Sequence, residues 1–239
     1  MTSSDSNRGR RSLLSGLGVA AVAGAALGSG SALAQTKPPK SEPRRHELDA
    51  WMDAIPGDHR VFIDTDSAAG ATNALRYATN ILNAQVNAYK GADKDMAIII
   101  CLRHASTILA FTDAMWAKYG SALDSMSAMM SGRAPAGPTG QPAAGPTAAA
   151  PAAAAPAPTT NAQTRALATA AGRGVHFAIC DTATNALAGM IARQAGLAAG
   201  DVHAELIANI VPNGHMVPAG VMALTRAQEH GYSFLYSSA

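Results

Sequence analysis

The spacing of apolar positions changes several times along the chain, and each change predicts an element. Arg60-Val61-Phe62-Ile63-Asp64 is a short apolar run with polar ends, which predicts a strand. Thr65-Asp66-Ser67 then supplies the residues of a helix start. From Ala68 to Tyr89 the period lengthens. Leu75, Ala78, Leu82, Val86 and Tyr89 recur at intervals of three and four, predicting a helix that Gly91 is placed to end. Met96 to Leu102 is apolar without interruption, the mark of a strand covered on both faces. Arg103-His104 closes that run. Helical spacing resumes at Ile108, Phe111, Met115 and Trp116 as far as Tyr119-Gly120, and a tail with Met126, Met129 and Met130 frays towards a linker.

The second half repeats the pattern. Arg165 to Gly172 predicts a helix, and Gly172-Arg173-Gly174 turns into a third strand ending in Cys180. Ala183 to Ala195 is helical, with Leu187, Met190 and Ile191 as its apolar face, and Asp201 to Leu206 forms a shorter helix. His215 to Val217 predicts a brief, buried fourth strand, and Pro218 suits the first turn of the next helix. That helix ends near His230-Gly231, and Tyr232 to Tyr236 is the last strand. Ahead of all this, Glu47 to Ala54 is a short helical candidate with Trp51 as its anchor. Strands alternating with helices predict an α/β fold, three-layer α/β/α and doubly wound, with a five-stranded, mainly parallel sheet and right-handed crossovers.

Two segments fall outside this pattern. Arg10-Arg11-Ser12-Leu13-Leu14 leads into a Gly/Ala/Leu/Val run, and Ala32-Leu33-Ala34 has the small-x-small form of a cleavage site. Residues 1–34 therefore read as an export signal, of the twin-arginine type because of the paired arginines. The expected location is the periplasm. Gly16, Gly18, Gly24 and Gly28 dilute the run too much for a stable membrane anchor. Residues 35–58 form an N-terminal lead-in, and 59–239 the main domain. That domain is interrupted at 131–161, where seven of the thirteen prolines sit among Ala, Gly and Thr. No side chain there is large enough to offset chain entropy, so the insertion is expected to be disordered. Removing both segments leaves roughly 150 to 175 residues, the size of one domain.

Charge changes the picture once the signal is removed. Arg8, Arg10, Arg11 and Asp5 go with it, so 18 basic and 16 acidic residues become 15 and 15. A chain with no net charge and no basic stripe is not expected to bind nucleic acid. There is no phosphate loop, GxSxG elbow or GxGxxG. His46, His59, His176, His203, His215 and His230 lack ligand spacing such as HxxxH, so neither a metal nor a cofactor is expected.

Ligands of open parallel sheets gather at the carboxyl ends of the strands. Here those ends carry Asp64 to Ser67, Cys101 to His104, Cys180-Asp181 and Val217 to Ala219. Cys180 passes from strand to helix, where free N–H groups favour the reactive thiolate. The neighbouring Asp181 opposes it with a second negative charge. The competing reading is an inert buried thiol. Cys101 follows three isoleucines and has the same two readings, with burial the stronger. If their strands are neighbours, the two thiols could form a disulfide or a nucleophile and resolver pair. Arg103 and His104 could hold an anion or move a proton, or simply form a solvated strand end.

The stretches Gly174 to Cys180, Val217-Pro218-Ala219-Gly220-Val221 and Ala227-Gln228-Glu229-His230-Gly231-Tyr232 resemble the DsrE/DsrF-like family of sulfur-relay proteins. Leu102-Arg103-His104 and Asp113 to Tyr119 are similar to an exported branch of it. The resemblance spans about Arg60 to Tyr236 apart from the insertion. It implies a five-stranded parallel sheet, homo-oligomers or assembly with related subunits, and a persulfide on the cysteine at the end of the third strand, which is Cys180. The expected function is thiol or persulfide handling by Cys180, with Cys101 the second candidate. Arg103, His104 and Asp181 would line the edge, and the helix start at Pro218-Ala219-Gly220 would offer backbone donors, from the residues that follow the proline, to an anion such as a small sulfur species. The alternative is a non-catalytic binding or assembly module of the same fold; a hydrolase or metal-dependent enzyme is a third, weaker option.

Overall fold

The computed structural model describes residue 43, residues 45–130 and residues 156–238. The proposed signal segment and residues 131–155 of the insertion lie outside the described residues. Five strands, β1 (His59–Thr65), β2 (Met96–Leu102), β3 (Val175–Cys180), β4 (Gly214–Val217) and β5 (Ser233–Ser237), form one sheet in the order β4-β3-β2-β1-β5. Every pairing is parallel. The helices are α1 (Ala50–Ala54), α2 (Ala68–Asn87), α3 (Asp113–Met130), α4 (Thr164–Gly172), α5 (Asp181–Ala195), α6 (Ala199–Ala208) and α7 (Gly220–Glu229). The architecture is the expected three-layer α/β/α fold.

Strand order decides which face is thick. The chain steps from β1 to β4 in one direction, so its right-handed crossovers all lie on the same face. There α2 to α6 bury Leu75, Leu82, Leu123, Leu167, Leu187 and Leu206. After β4 the chain must return past β1, and the reversal puts α7 on the other face. Among the described residues only α7, α1 and the turn after it cover that thin face, through Ala223, Ala227, Met52 and Ile55. Alternation in β2 serves both: Ile98, Ile100 and Leu102 point to the thick layer, and Ala97, Ile99 and Cys101 to the thin one. Burial on both sides explains the unbroken apolar run.

Local chemistry sets the joints. Ser67 caps α2 by accepting from the Gly70 amide at 3.0 Å. A Cβ on Gly70 would lie 2.5 Å from the Ser237 carbonyl oxygen, so glycine lets α2 dock against the end of β5. Gly196 ends α5 in the left-handed conformation, with φ 68°.

Several expectations need correction. Helix α2 stops at Asn87, the left-handed residue beyond it is Lys90 rather than Gly91, and Val86 and Tyr89 are exposed rather than core. The helix expected from Ile108 is two pieces, a 3-10 segment at His104–Ala110 and then α3. Between them Phe111 is drawn into a bridge with Ile210, flanked by bonds from the Val211 amide to the Ala110 carbonyl and from the Thr112 amide to the Asn209 carbonyl. The Met-rich tail belongs to α3 as far as Met130, with Met126 buried. Pro218 precedes the cap residue Ala219 instead of occupying the first turn of α7. Strand β4 is an edge in which only Val217 is buried. Met52, fully buried, anchors the lead-in more than half-buried Trp51 does. The insertion also ends sooner than expected. Asn161 is buried, and its amide donates to the Leu109 and Phe111 carbonyls at 2.8 and 3.0 Å.

Candidate functional site

At the carboxyl edge of the thin face, neighbouring strands bring together Asp64, Cys101, Arg103 and Cys180. Asp64 and Cys101 are register partners on β1 and β2. Leu102 pairs with Ile179, so Arg103 and Cys180 continue side by side. Asp64 is 2% exposed and accepts two bonds from Arg103, Nε to Oδ1 at 2.8 Å and a terminal nitrogen to Oδ2 at 2.7 Å. The bond to Asp64 raises the pKa of the guanidinium and locks it on. Arg103 is therefore committed to an internal partner, which the sequence reading did not assign. A carboxylate at the end of Phe62-Ile63, in a strand buried on both faces, was the available signal, because such a charge must be paired.

Cys101 is sealed, with no exposed surface, and its Sγ lies 3.8 Å from the Gly220 carbonyl oxygen. Burial pushes its thiol pKa well up and the Asp64 charge adds to this, against a smaller opposing pull from Arg103. Cys101 thus sits as a protonated thiol, inert in the resting fold. Cys180 is the last residue of β3 and the N-cap of α5, and 7% of its surface is exposed. Both cysteines are free. Cys101 pairs with Ala178, so the two thiols stand one strand and two residues apart. At about 4.8 Å between strands and about 3.3 Å per residue, their Cα atoms are roughly 8 Å apart. That exceeds the roughly 7 Å a disulfide can span without backbone movement.

The other expected residues divide. Asp181 turns to the helical layer, where its carboxylate meets His203 Nε2 at 2.7 Å and Asn185 Nδ2 at 2.8 Å. His104 is exposed, with φ 55°, and its Nδ1 lies 3.3 Å from the Asp66 carbonyl. That is the β1 side of β2, away from Cys180. The Pro218 carbonyl accepts from Thr182 Oγ1 at 2.9 Å and so ties the β4 end to the start of α5. Ala219 is the N-cap of α7. A Cβ on Gly220 would sit 2.6 Å from Arg103 Cβ and 3.1 Å from Cys101 Sγ, so glycine permits the close approach of α7.

One cluster on the same face was missed. His176 Nδ1 and His215 Nε2 are 3.0 Å apart, and Trp51 stacks on His215 with ring centroids 4.0 Å apart and planes 8° from parallel. Burial lowers both imidazole pKa values, that of His215 to about 4 with His176 contributing, so the pair is neutral near pH 7. Strand alternation was the signal: His176, Ala178 and Cys180 share one face of β3, as do His215 and Val217 of β4. Among the described residues, no three His, Cys, Asp or Glu side chains converge as a metal site requires. A groove of about 510 Å³ between α2 and α4, lined by Thr72, Arg76 and Arg165, lies on the thick face away from both thiols.

No family model matches the sequence, and no curated protein matches it either. Among solved structures, the chain is similar to a protein of unknown function from Methanobacterium thermoautotrophicum. The TM-score is 0.38 at 14% identity, covering 75% of this chain and 99% of that one.

Proposed function

We propose that the chain is an exported, DsrE/DsrF-like sulfur-handling protein in which the Cys180 thiolate accepts a sulfur atom and passes it on. One observation carries the reading. Of the two thiols at the carboxyl edge, Cys180 alone combines a helix N-cap position with some exposed surface, whereas Cys101 is sealed and protonated. In loading, the thiolate attacks the terminal sulfur of a polysulfide. A new S–S bond forms on Cys180, the S–S bond behind the attacked atom breaks, and its electron pair leaves on the shortened polysulfide. Arg103, one strand away, supplies positive charge softened by Asp64. A low-molecular-weight or protein thiolate then attacks the outer sulfur and regenerates the Cys180 thiolate. The periplasmic address rests on Arg10-Arg11 and Ala32-Leu33-Ala34.

The test is mass spectrometry of the native protein after polysulfide treatment. Cys180 should gain about 32 Da, the mass of one sulfur atom, and Cys101 should not. No gain at Cys180, with Cys180→Ser indistinguishable from the parent, overturns the reading. The small exposed fraction of Cys180 favours a second reading, a non-catalytic binding or assembly module. Titration of native thiols separates the two, since that module predicts no reactive thiol.

A further inference from the structure

We propose that the free edge of β5 is a homodimer interface, in which two copies pair their β5 strands antiparallel about a two-fold axis through Leu235. The two five-stranded sheets would then become one continuous sheet. This sharpens the expectation of a homo-oligomer and is independent of the sulfur chemistry.

Among the described residues β5 hydrogen-bonds to β1 alone, and none of them places a strand beside its outer row of N–H and C=O groups. Soluble proteins guard such edges with charge, proline, bulges or extreme shortness. Ser233-Phe234-Leu235-Tyr236-Ser237 has no charge and no proline. The opposite edge differs: β4 is four residues long and carries His215 beneath Trp51. The unguarded edge is also the apolar one. Phe234 is 48% exposed and Tyr236 44%, both on the thin face beside Phe62 and Asp64 of β1. On the thick side Tyr77 is 39% exposed, one helical turn from Asn73, whose amide donates to the Ser238 carbonyl.

The occupant follows from the sequence of the strand. Antiparallel pairing centred on Leu235 sets Phe234 opposite Tyr236 of the second copy, while Ser237, buried against Gly70 of α2, lies beyond the open stretch. Phe-Leu-Tyr is thus complementary to itself, as an isologous contact requires, and no like charges meet. Facing aromatic side chains are favourable cross-strand pairs. Tyr236 is already oriented, because its hydroxyl donates to Asp66 Oδ2 at 2.7 Å, so little ordering is left for association. A charged peptide would find no countercharge on this strand. An interface this small belongs to the weak class, with dissociation constants on the order of micromolar.

Sedimentation equilibrium of the purified chain should show a monomer–dimer equilibrium. F234E alone and Y236K alone should each weaken it at least about tenfold. The chain carrying both changes should recover most of the affinity, because each introduced glutamate then faces an introduced lysine on the partner. Mixing the two single variants should yield heterodimer more readily than either self-associates. Hydrogen exchange of the unmutated chain supplies a readout that needs no variant: outward β5 amides should gain protection as concentration rises. The C180S variant should dimerise as the parent does. A strictly monomeric parent up to about 100 µM overturns the proposal. So does a dimer indifferent to F234E and Y236K, or β5 amides whose protection ignores concentration.

Discussion

Replacing Asp64 by asparagine keeps the shape of the side chain and one acceptor oxygen but removes the charge that Arg103 was folded against. The parent arrangement is a parallel two-bond pair at 2.8 and 2.7 Å, with 3% of the Asp64 side chain and 22% of the Arg103 side chain exposed. Removing one member of a buried pair costs about 3–5 kcal/mol, because the other is left desolvated and uncompensated. Water reaches the partly exposed guanidinium, which brings D64N to the lower end, about 3 kcal/mol. R103A strands a nearly sealed carboxylate and should cost about 4 kcal/mol. D64L/R103M removes both charges at similar volume and should cost no more than about 1 kcal/mol. Urea unfolding of the parent, D64L, R103M and D64L/R103M at pH 7 closes the cycle; with each single loss at least that of D64N or R103A, the coupling between the two positions is about 6 kcal/mol. Added salt should change the parent little, since the pair is mostly shielded from solvent ions. A loss under about 1 kcal/mol for D64N, or a double variant as unstable as the sum of its parts, would refute the claim that a buried charge pair organises this edge.

Two further outcomes follow from the buried histidine pair and from Asn161. His215 is held neutral down to about pH 4, whereas an unfolded histidine protonates near 6.5. Its contribution is therefore complete above pH 6.5 and is lost as pH falls towards 4. The shift corresponds to at most about 3 kcal/mol, and half-burial reduces this to about 2 kcal/mol. H215F, which keeps a ring under Trp51, should show that much less acid destabilisation in urea titrations at pH 7 and 4.5; equal pH dependence would contradict the assignment. Asn161→Ala leaves the Leu109 and Phe111 carbonyls without a donor and the Gln163 amide without its 2.9 Å acceptor. Its cost should be about 2–3 kcal/mol, a fall of about 6 °C in Tm by calorimetry. An unchanged Tm would mean that Asn161 does not pin the chain where the insertion ends.

Much of the fold was legible because apolar spacing is written locally. The unbroken Met96–Leu102 run and the three-and-four spacing of Leu75, Ala78 and Leu82 announced a strand buried on both sides and a helix packed on one. The site was only half legible. The positions of Cys180 and Cys101 at strand ends could be read, but their contrast in exposure could not, because it depends on α7 closing over Cys101. The break at Phe111 escaped for a similar reason, since a bridge to Ile210, 99 positions along the chain, overrides local helical spacing.

By itself, then, the sequence determined the alternation of strands and helices, the positions of the two cysteines at strand ends and the uncharged character of the last strand. Each is a property of neighbours along the chain. Only the tertiary structure decided that Asp64 would hold Arg103, that His176 would meet His215 under Trp51, and that one face of the sheet would be thinly covered. These contacts depend on strand order and register. The return from β4 past β1 sends one helix, α7, to the second face, and no local stretch of residues encodes that placement.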